Sequence, residues 1–154
     1  MTADPSSRTI VVWLPDWPVV AIRRMGDAPK SAPVALVSKG TIFACSSEAR
    51  GAGVRRGIAV RESQLRCPEL WIAPHDPGLD GRAFEPAVSL VESIVPGVRV
   101  LRPGLCAIRA RGAARFYGGE SRVAELLLTA LSQNGFEARV GVADSVFAAE
   151  QAAQ

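Results

Sequence analysis

The chain has 154 residues, 48% of them hydrophobic, 21% charged and 6% aromatic, which is enough apolar material for one core, or one core with an inserted subdomain, and too little length for two full domains. Eighteen basic residues against 15 acids give a net charge of +3, too small to keep the chain unfolded by repulsion, and no apolar run approaches the roughly 20 residues of a membrane span. The polar stretch up to Arg8 lacks the charged start and small-residue cleavage pattern of a secretory signal, so a cytoplasmic location is expected.

Ile10 to Leu14 is a near-continuous apolar run, the pattern of a strand buried on both faces, and Asp16 with Pro18 then signals a helix start. Pro29 to Pro33 reads as a linker. Val34 to Val37 and Thr41 to Cys45 read as an antiparallel strand pair across Lys39-Gly40. Short helices are expected at Ser47 to Ala52 and Glu62 to Arg66, a short strand at Leu70 to Ile72, and a boundary in the Pro, Gly and Asp-rich Pro74 to Gly81. Phe84, Val88, Val91 and Val95 make a helical stripe stopped by Pro96-Gly97.

Val98 to Leu101 and Leu105 to Ala110 follow as strands around Pro103-Gly104, then a helix carrying Val123, Leu126, Leu127 and Leu131, then a strand at Ala138 to Val142. With residues 30 to 75 set aside, the order is β-α-β-β-α-β, an α/β (α+β) ferredoxin-like arrangement with helices on one face of the sheet. Residues 144 to 154 begin an alanine-rich helix without a cap, from which a continuation into a longer protein is expected.

Three distant cysteines, Cys45, Cys67 and Cys106, suit reduced core thiols better than a disulfide framework. His75 is the single histidine, so neither a Cys/His zinc cluster nor a Ser-His or Cys-His pair with a local signature is present. No cofactor is expected. Sixteen of the 18 basic residues are arginine, a weak pointer to nucleic acid.

The segment Ser47-Glu48-Ala49-Arg50-Gly51-Ala52-Gly53-Val54-Arg55-Arg56-Gly57-Ile58 resembles the fingers motif of Y-family, translesion-type DNA polymerases: Tyr-Glu-Ala-Arg, then Gly-Val, then Gly-Met or Gly-Ile at fixed spacing. Its glycines miss a dinucleotide fingerprint by one residue and do not follow the required strand. In the same order, Ile10 to Ala21 resembles that family's first catalytic strand, Val98 to Ala110 its second carboxylate motif, and Val140-Gly141-Val142-Ala143 its Gly-Ile-Ala stretch. The resemblance implies a polymerase palm formed by residues 1–29 and 76–154, with a fingers-like insertion at 30–75.

Nucleotide polymerisation needs two magnesium ions held by carboxylates. In the resemblance the first metal-binding acid falls on Pro15 and the second motif's acid pair on Gly104 and Leu105, so catalytic and metal-binding residues are expected to be absent. Asp16, one position away, would point to the opposite side of an extended segment and reads as a helix N-cap. The fingers tyrosine falls on Ser47, the ribose-gating aromatic on Val20 and the triphosphate lysine on Ala149. Arg50 survives, either as a vestigial nucleotide- or phosphate-binding group or in a structural ion pair.

This pattern of loss resembles the polymerase-like adaptor branch of the bacterial mutasome, a non-catalytic role in DNA-damage-induced translesion synthesis and mutagenesis. It implies as partners a RecA-like mutasome accessory protein, and an error-prone C-family DNA polymerase and sliding clamp reached through further C-terminal segments. It also implies nucleoid association on DNA damage. Between Val98 and Arg122 six arginines face one acid, Glu120, which favours phosphate or an acidic partner. Weak non-specific DNA contacts are expected from Arg55, Arg56, Arg61, Arg109, Arg111 and Arg115, with a solvated face as the alternative. Arg109 and Arg111 would sit outward at period two, and Phe116-Tyr117 would pack a turn. Trp17, Trp71 and Phe116 are candidate partner anchors, the alternative being core. The face of the C-terminal helix with Val146 and Phe147 is a further candidate. The alternatives for the whole chain are an active translesion polymerase fragment and an unrelated ferredoxin-like binding module.

Overall fold

The computed structural model describes residues 8–144 and 146–154, and of Val146 and Phe147 only the backbone. The chain divides into two compact units: Met1–Pro15 together with Phe84–Gln154, and Asp16–Ala83.

The first unit is built on a four-stranded sheet in the order β5-β6-β1-β7, formed by β1 (Thr9–Trp13), β5 (Arg99–Arg102), β6 (Leu105–Arg109) and β7 (Arg139–Ala143). All its pairings are antiparallel, with Trp13 opposite Leu105 and Val12 opposite Val140. Order and direction are those of the ferredoxin-like β-α-β-β-α-β unit, as the patterning predicts. The central strands are apolar on both faces: Val11, Leu105 and Ala107 on one, Ile10, Val12, Cys106 and Ile108 on the other, all buried. The helix α4 (Pro77–Ile94) contributes Phe84, Ala87 and Val91 to this unit, and α6 (Glu120–Gln133) buries Val123, Leu127 and Leu131.

Two elements of this unit differ from expectation. The strand β6 stops at Arg109, and Ala110–Tyr117 is a helix, α5, so Arg111 lies on a helix and Phe116-Tyr117 close a helix rather than pack a turn. The C-terminal helix α7 (Val146–Ala153) lies against β1 and β7, on the sheet face carrying Val11, Leu105 and Ala107, so helices are not confined to one face. Its alanine face is therefore packed within the unit, with Ala149 and Ala153 buried; the Val146 and Phe147 side chains lie outside the described residues. This close approach depends on Gly141, where a Cβ would meet the α7 backbone at Ala149 O, Ala153 N and Ala152 C.

The second unit holds α1 (Trp17–Met25) and a three-stranded sheet ordered β3-β2-β4. Strands β2 (Val34–Ser38) and β3 (Thr41–Cys45) form the expected antiparallel pair, while β4 (Trp71–Pro74) adds parallel to β2. Helices α2 (Ser47–Gly51) and α3 (Val60–Arg66) bury Ala49 and Ser63, and Ala35, Ile42, Cys45, Val54 and Cys67 form the core. This unit is wider than the expected insertion at 30–75. It includes α1, whose Val19 packs with Ala28 and Val34, and the first turns of α4. The stretch read as a boundary at Pro74 to Gly81 is partly helix, because Asp76 Oδ1 accepts from Gly78 N and Leu79 N (3.0 and 3.2 Å) and Pro77 opens the first turn.

Candidate functional site

In the first unit, the end of β1 lies beside the turn joining β5 to β6: Leu14 N donates to Gly104 O at 2.8 Å. Pro103 precedes Gly104, whose φ of +91° is the left-handed value that a glycine takes in a Pro-Gly turn. Pro15 thus shares one small neighbourhood with Gly104 and Leu105, far from it in sequence. It is apolar. Leu105 packs with Val11, Ala107 and Ala149, and Trp13, Leu101 and Ala143 close over them.

The resemblance places an acid on Leu105 and a cationic side chain on Ala149; the structure buries both in this one cluster, 1% and 0% exposed. Polar groups remain only around it. Arg102 pairs with Glu150 at 2.7 Å, and Arg139 lies over the Trp13 ring at 5.4 Å while donating to Gln154 O. The divalent cations implied by the polymerase resemblance do not fit these positions: a proline, a glycine and a buried leucine offer no carboxylate oxygen, and hard cations need oxygen ligands. Among the described residues no three His, Cys, Asp or Glu side chains are grouped to hold a metal ion.

In the second unit Arg50 is held by a two-pronged pair with Asp16 (Nη1 to Oδ1 3.0 Å, Nη2 to Oδ2 2.7 Å) and donates to Cys45 O at 2.7 Å. Asp16 stands at the N-cap position of α1 with φ +53°, yet its carboxylate caps nothing; the arginine takes it, and this bond raises the Arg50 pKa. Ser47 opens α2 exposed and Val20 is half-buried on α1. Arg55 donates to Arg50 O and Val54 O, Arg56 lies 4.9 Å over the Phe43 ring, and Arg61 is exposed on α3.

Among the described residues Arg61, Arg109, Arg111 and Arg115 take part in no ion pair. Of the candidate anchors, Trp17 is core, 3% exposed with its indole N–H donating to Asp80 O at 2.9 Å, and so is not presented to a partner. Trp71 is half-buried against Val19 and Val34. Phe116 is 81% exposed.

One constellation escaped sequence reading. His75 Nε2 lies 2.6 Å from Asp80 Oδ2, both side chains nearly buried, and the imidazole stacks on Phe43 at 3.9 Å. Burial pushes the Asp80 carboxyl above its ordinary value, and the histidine partly offsets this. The five-residue spacing straddling a helix start gives no periodic signal. The three cysteines are buried free thiols as expected; burial raises the pKa of each, that of Cys106 to about 12, which keeps them protonated.

An antiparallel palm-type sheet whose first-strand tip meets the β5–β6 turn, with an α/β unit inserted after that strand, has the fold of a polymerase-like palm domain. The chain belongs to the impB/mucB/samB family (IMS), which matches residues 19–154. Among solved structures it is similar to a post-insertion binary complex of Dbh DNA polymerase (TM-score 0.78, 16% identity, covering 93% of this chain and 44% of that one). It is also similar to a Dbh ternary complex (0.73, 14%, 93% and 43%) and to DinB from Sulfolobus solfataricus (0.66, 15%, 93% and 44%). The chain spans less than half the length of these structures. No curated protein matches it in sequence.

Proposed function

We propose that the chain is the palm and fingers part of an ImuB-type protein: a non-catalytic, Y-family polymerase-like adaptor in DNA-damage-induced translesion synthesis. On this reading it joins a RecA-like accessory protein to an error-prone C-family polymerase and a sliding clamp in the cytoplasm, at the nucleoid when DNA is damaged. The observation that carries the reading is the apolar cluster of Leu105 and Ala149. There an acid and a base would serve a polymerase, and both have been exchanged for side chains that only pack. A charge swapped singly would leave its partner buried and unpaired; the paired exchange leaves none.

No helix among the described residues is long and apolar enough to cross a membrane. Primer extension by the full chain with magnesium or manganese tests the proposal. No templated incorporation is expected, since acids are missing at Pro15, Gly104 and Leu105 and Val20, Ser47 and Ala149 also lack the groups that gate and hold a nucleotide. Templated incorporation that Asp16→Ala abolishes would overturn it.

A further inference from the structure

The first unit carries an apolar groove of about 510 Å³ that lies apart from the Leu105 cluster. One wall is the end of α4 and the residues after it, Ile94, Val95 and Pro96; the other is Arg109, at the end of β6, and one stripe of α5, where Gly112, Ala113 and Phe116 recur at helical spacing. The walls are fixed to each other, because Tyr117 Oη donates to Ile94 O at 2.7 Å, so the groove exists before anything enters it. Phe116 stands at its edge, with the edge-on ring of Tyr117 (4.8 Å) as its one ring contact among the described residues. An exposed phenyl ring beside an apolar trough costs hydration free energy that a bound apolar side chain would recover.

The charge around this groove has one sign. Arg109 lines it, Arg111 and Arg115 flank it on α5, and none of the three meets an acid among the described residues. The acid nearest in sequence, Glu120, is already taken by Arg8 (2.6 and 2.9 Å). Arg109 and Arg111 also stand at the start of α5, whose first turn has no acid and no side-chain cap. Cations there oppose the helix dipole, and an arriving carboxylate would relieve them.

We propose that this groove is a docking site for an acidic peptide segment of a partner protein, which seats a leucine- or phenylalanine-sized side chain between α4 and α5 and sets carboxylates on Arg109, Arg111 and Arg115. The occupant is peptide rather than nucleic acid because the trough between its aliphatic walls offers one exposed aromatic face, Phe116, and one tyrosine fixed by its hydroxyl, whereas single strands are held by successive exposed aromatic faces. The proposal deepens the adaptor reading by giving it a surface, but rests on this geometry alone.

The test uses four fluorescein-labelled 12-residue peptides of Asp, Glu and Ser with a central Leu-Leu, Ile-Leu, Phe-Leu or Trp-Leu, titrated into the full chain and followed by anisotropy. At least one is expected to bind in the micromolar range. Its control with serines at the centre should bind at least tenfold more weakly. Gly112→Leu fills the groove, and since a Cβ at Gly112 meets nothing within 4 Å, it should leave the fold intact while weakening binding at least tenfold. Phe116→Ala and the double change Arg109→Glu, Arg111→Glu should do the same.

The proposal is overturned if no peptide binds, if Gly112→Leu leaves binding unchanged, or if a 20-residue oligothymidylate displaces the peptide and itself depends on Phe116. Primer extension reads the adaptor proposal separately: a silent enzyme with an empty groove sinks only this inference, and an active enzyme with a working groove sinks only the other.

Discussion

Leu105 carries the sharpest consequence at the scale of single residues. Its side chain is 1% exposed among Val11, Ala107 and Ala149. Leu105→Glu forfeits about 2 to 3 kcal/mol of apolar burial and adds a carboxyl with no partner, so a loss of at least about 3 kcal/mol is expected in urea unfolding. Gly104→Asp should cost a further ~1 kcal/mol, since φ +91° strains any side chain. A Leu105→Glu chain within about 1 kcal/mol of the parent would contradict the packing described here.

Two other acids predict pH slopes of opposite sign. Burial raises Asp80 above 3.8, so its folded form binds a proton more readily than the unfolded one; that contribution is full below 3.8 and is lost as pH rises through the folded value. The Arg8 fork lowers Glu120 below 4.5, a contribution present above 4.5 and lost as pH falls. In melting curves between about pH 3 and 7, Asp80→Asn should flatten the decline on the high side, and Glu120→Gln the decline on the low side. Slopes unchanged in both variants would remove these assignments.

At the scale of elements, α7 hangs on Gly141. Gly141→Ala sets a methyl against backbone atoms of Ala149, Ala152 and Ala153 that cannot rotate away, an overpacking worth about 1 to 3 kcal/mol. Hydrogen exchange should show Val146–Ala153 losing protection while β1 and β6 keep theirs; protection retained throughout would show that the helix can shift instead.

The same elements show what sequence could and could not reveal. Runs such as Ile10 to Leu14 and stripes such as Phe84, Val91 and Val95 were legible because burial imposes their period. The helix α5 was not, since only Ala110 and Ala113 of its eight residues are buried, and an apolar side made mostly of alanine and glycine among arginines is a faint signal over two turns. The start of α4 hid behind Asp76-Pro77-Gly78, which serves turns and helix starts alike. The parallel addition of β4 was equally silent, being a matter of topology. For the candidate site, the identities at Pro15, Gly104 and Leu105 were plain, but not that Leu105 and Ala149 share one cluster. Asp16 was misread as a cap because Arg50, its partner, lies 34 residues on.

At the scale of the molecule, the balance of charge sets how the chain meets DNA. The +3 net charge is carried by arginines, but several are engaged: Arg50 by Asp16, Arg55 by Arg50 O and Val54 O, and Arg8 by Glu120 and Asp144. That leaves Lys30, Lys39, Arg61, Arg82, Arg99, Arg109, Arg111 and Arg115 as exposed cations without ion pairs among the described residues, and Arg56 over a ring face. These cations are spread over both units, and with about four of them on phosphate at once the slope is about −3.6 in log affinity against log salt, or roughly a 100-fold loss from about 50 to about 200 mM. Binding to duplex DNA should therefore be weak, indifferent to sequence and gone near physiological salt. Reversing Arg109 and Arg111 together should lower the slope by about 2, because each contact releases about one counterion. A slope unchanged by that double reversal would move DNA contact to other residues and leave those arginines to a protein partner alone. Tight binding that ignored salt would show that phosphate neutralisation is not what holds DNA to this chain.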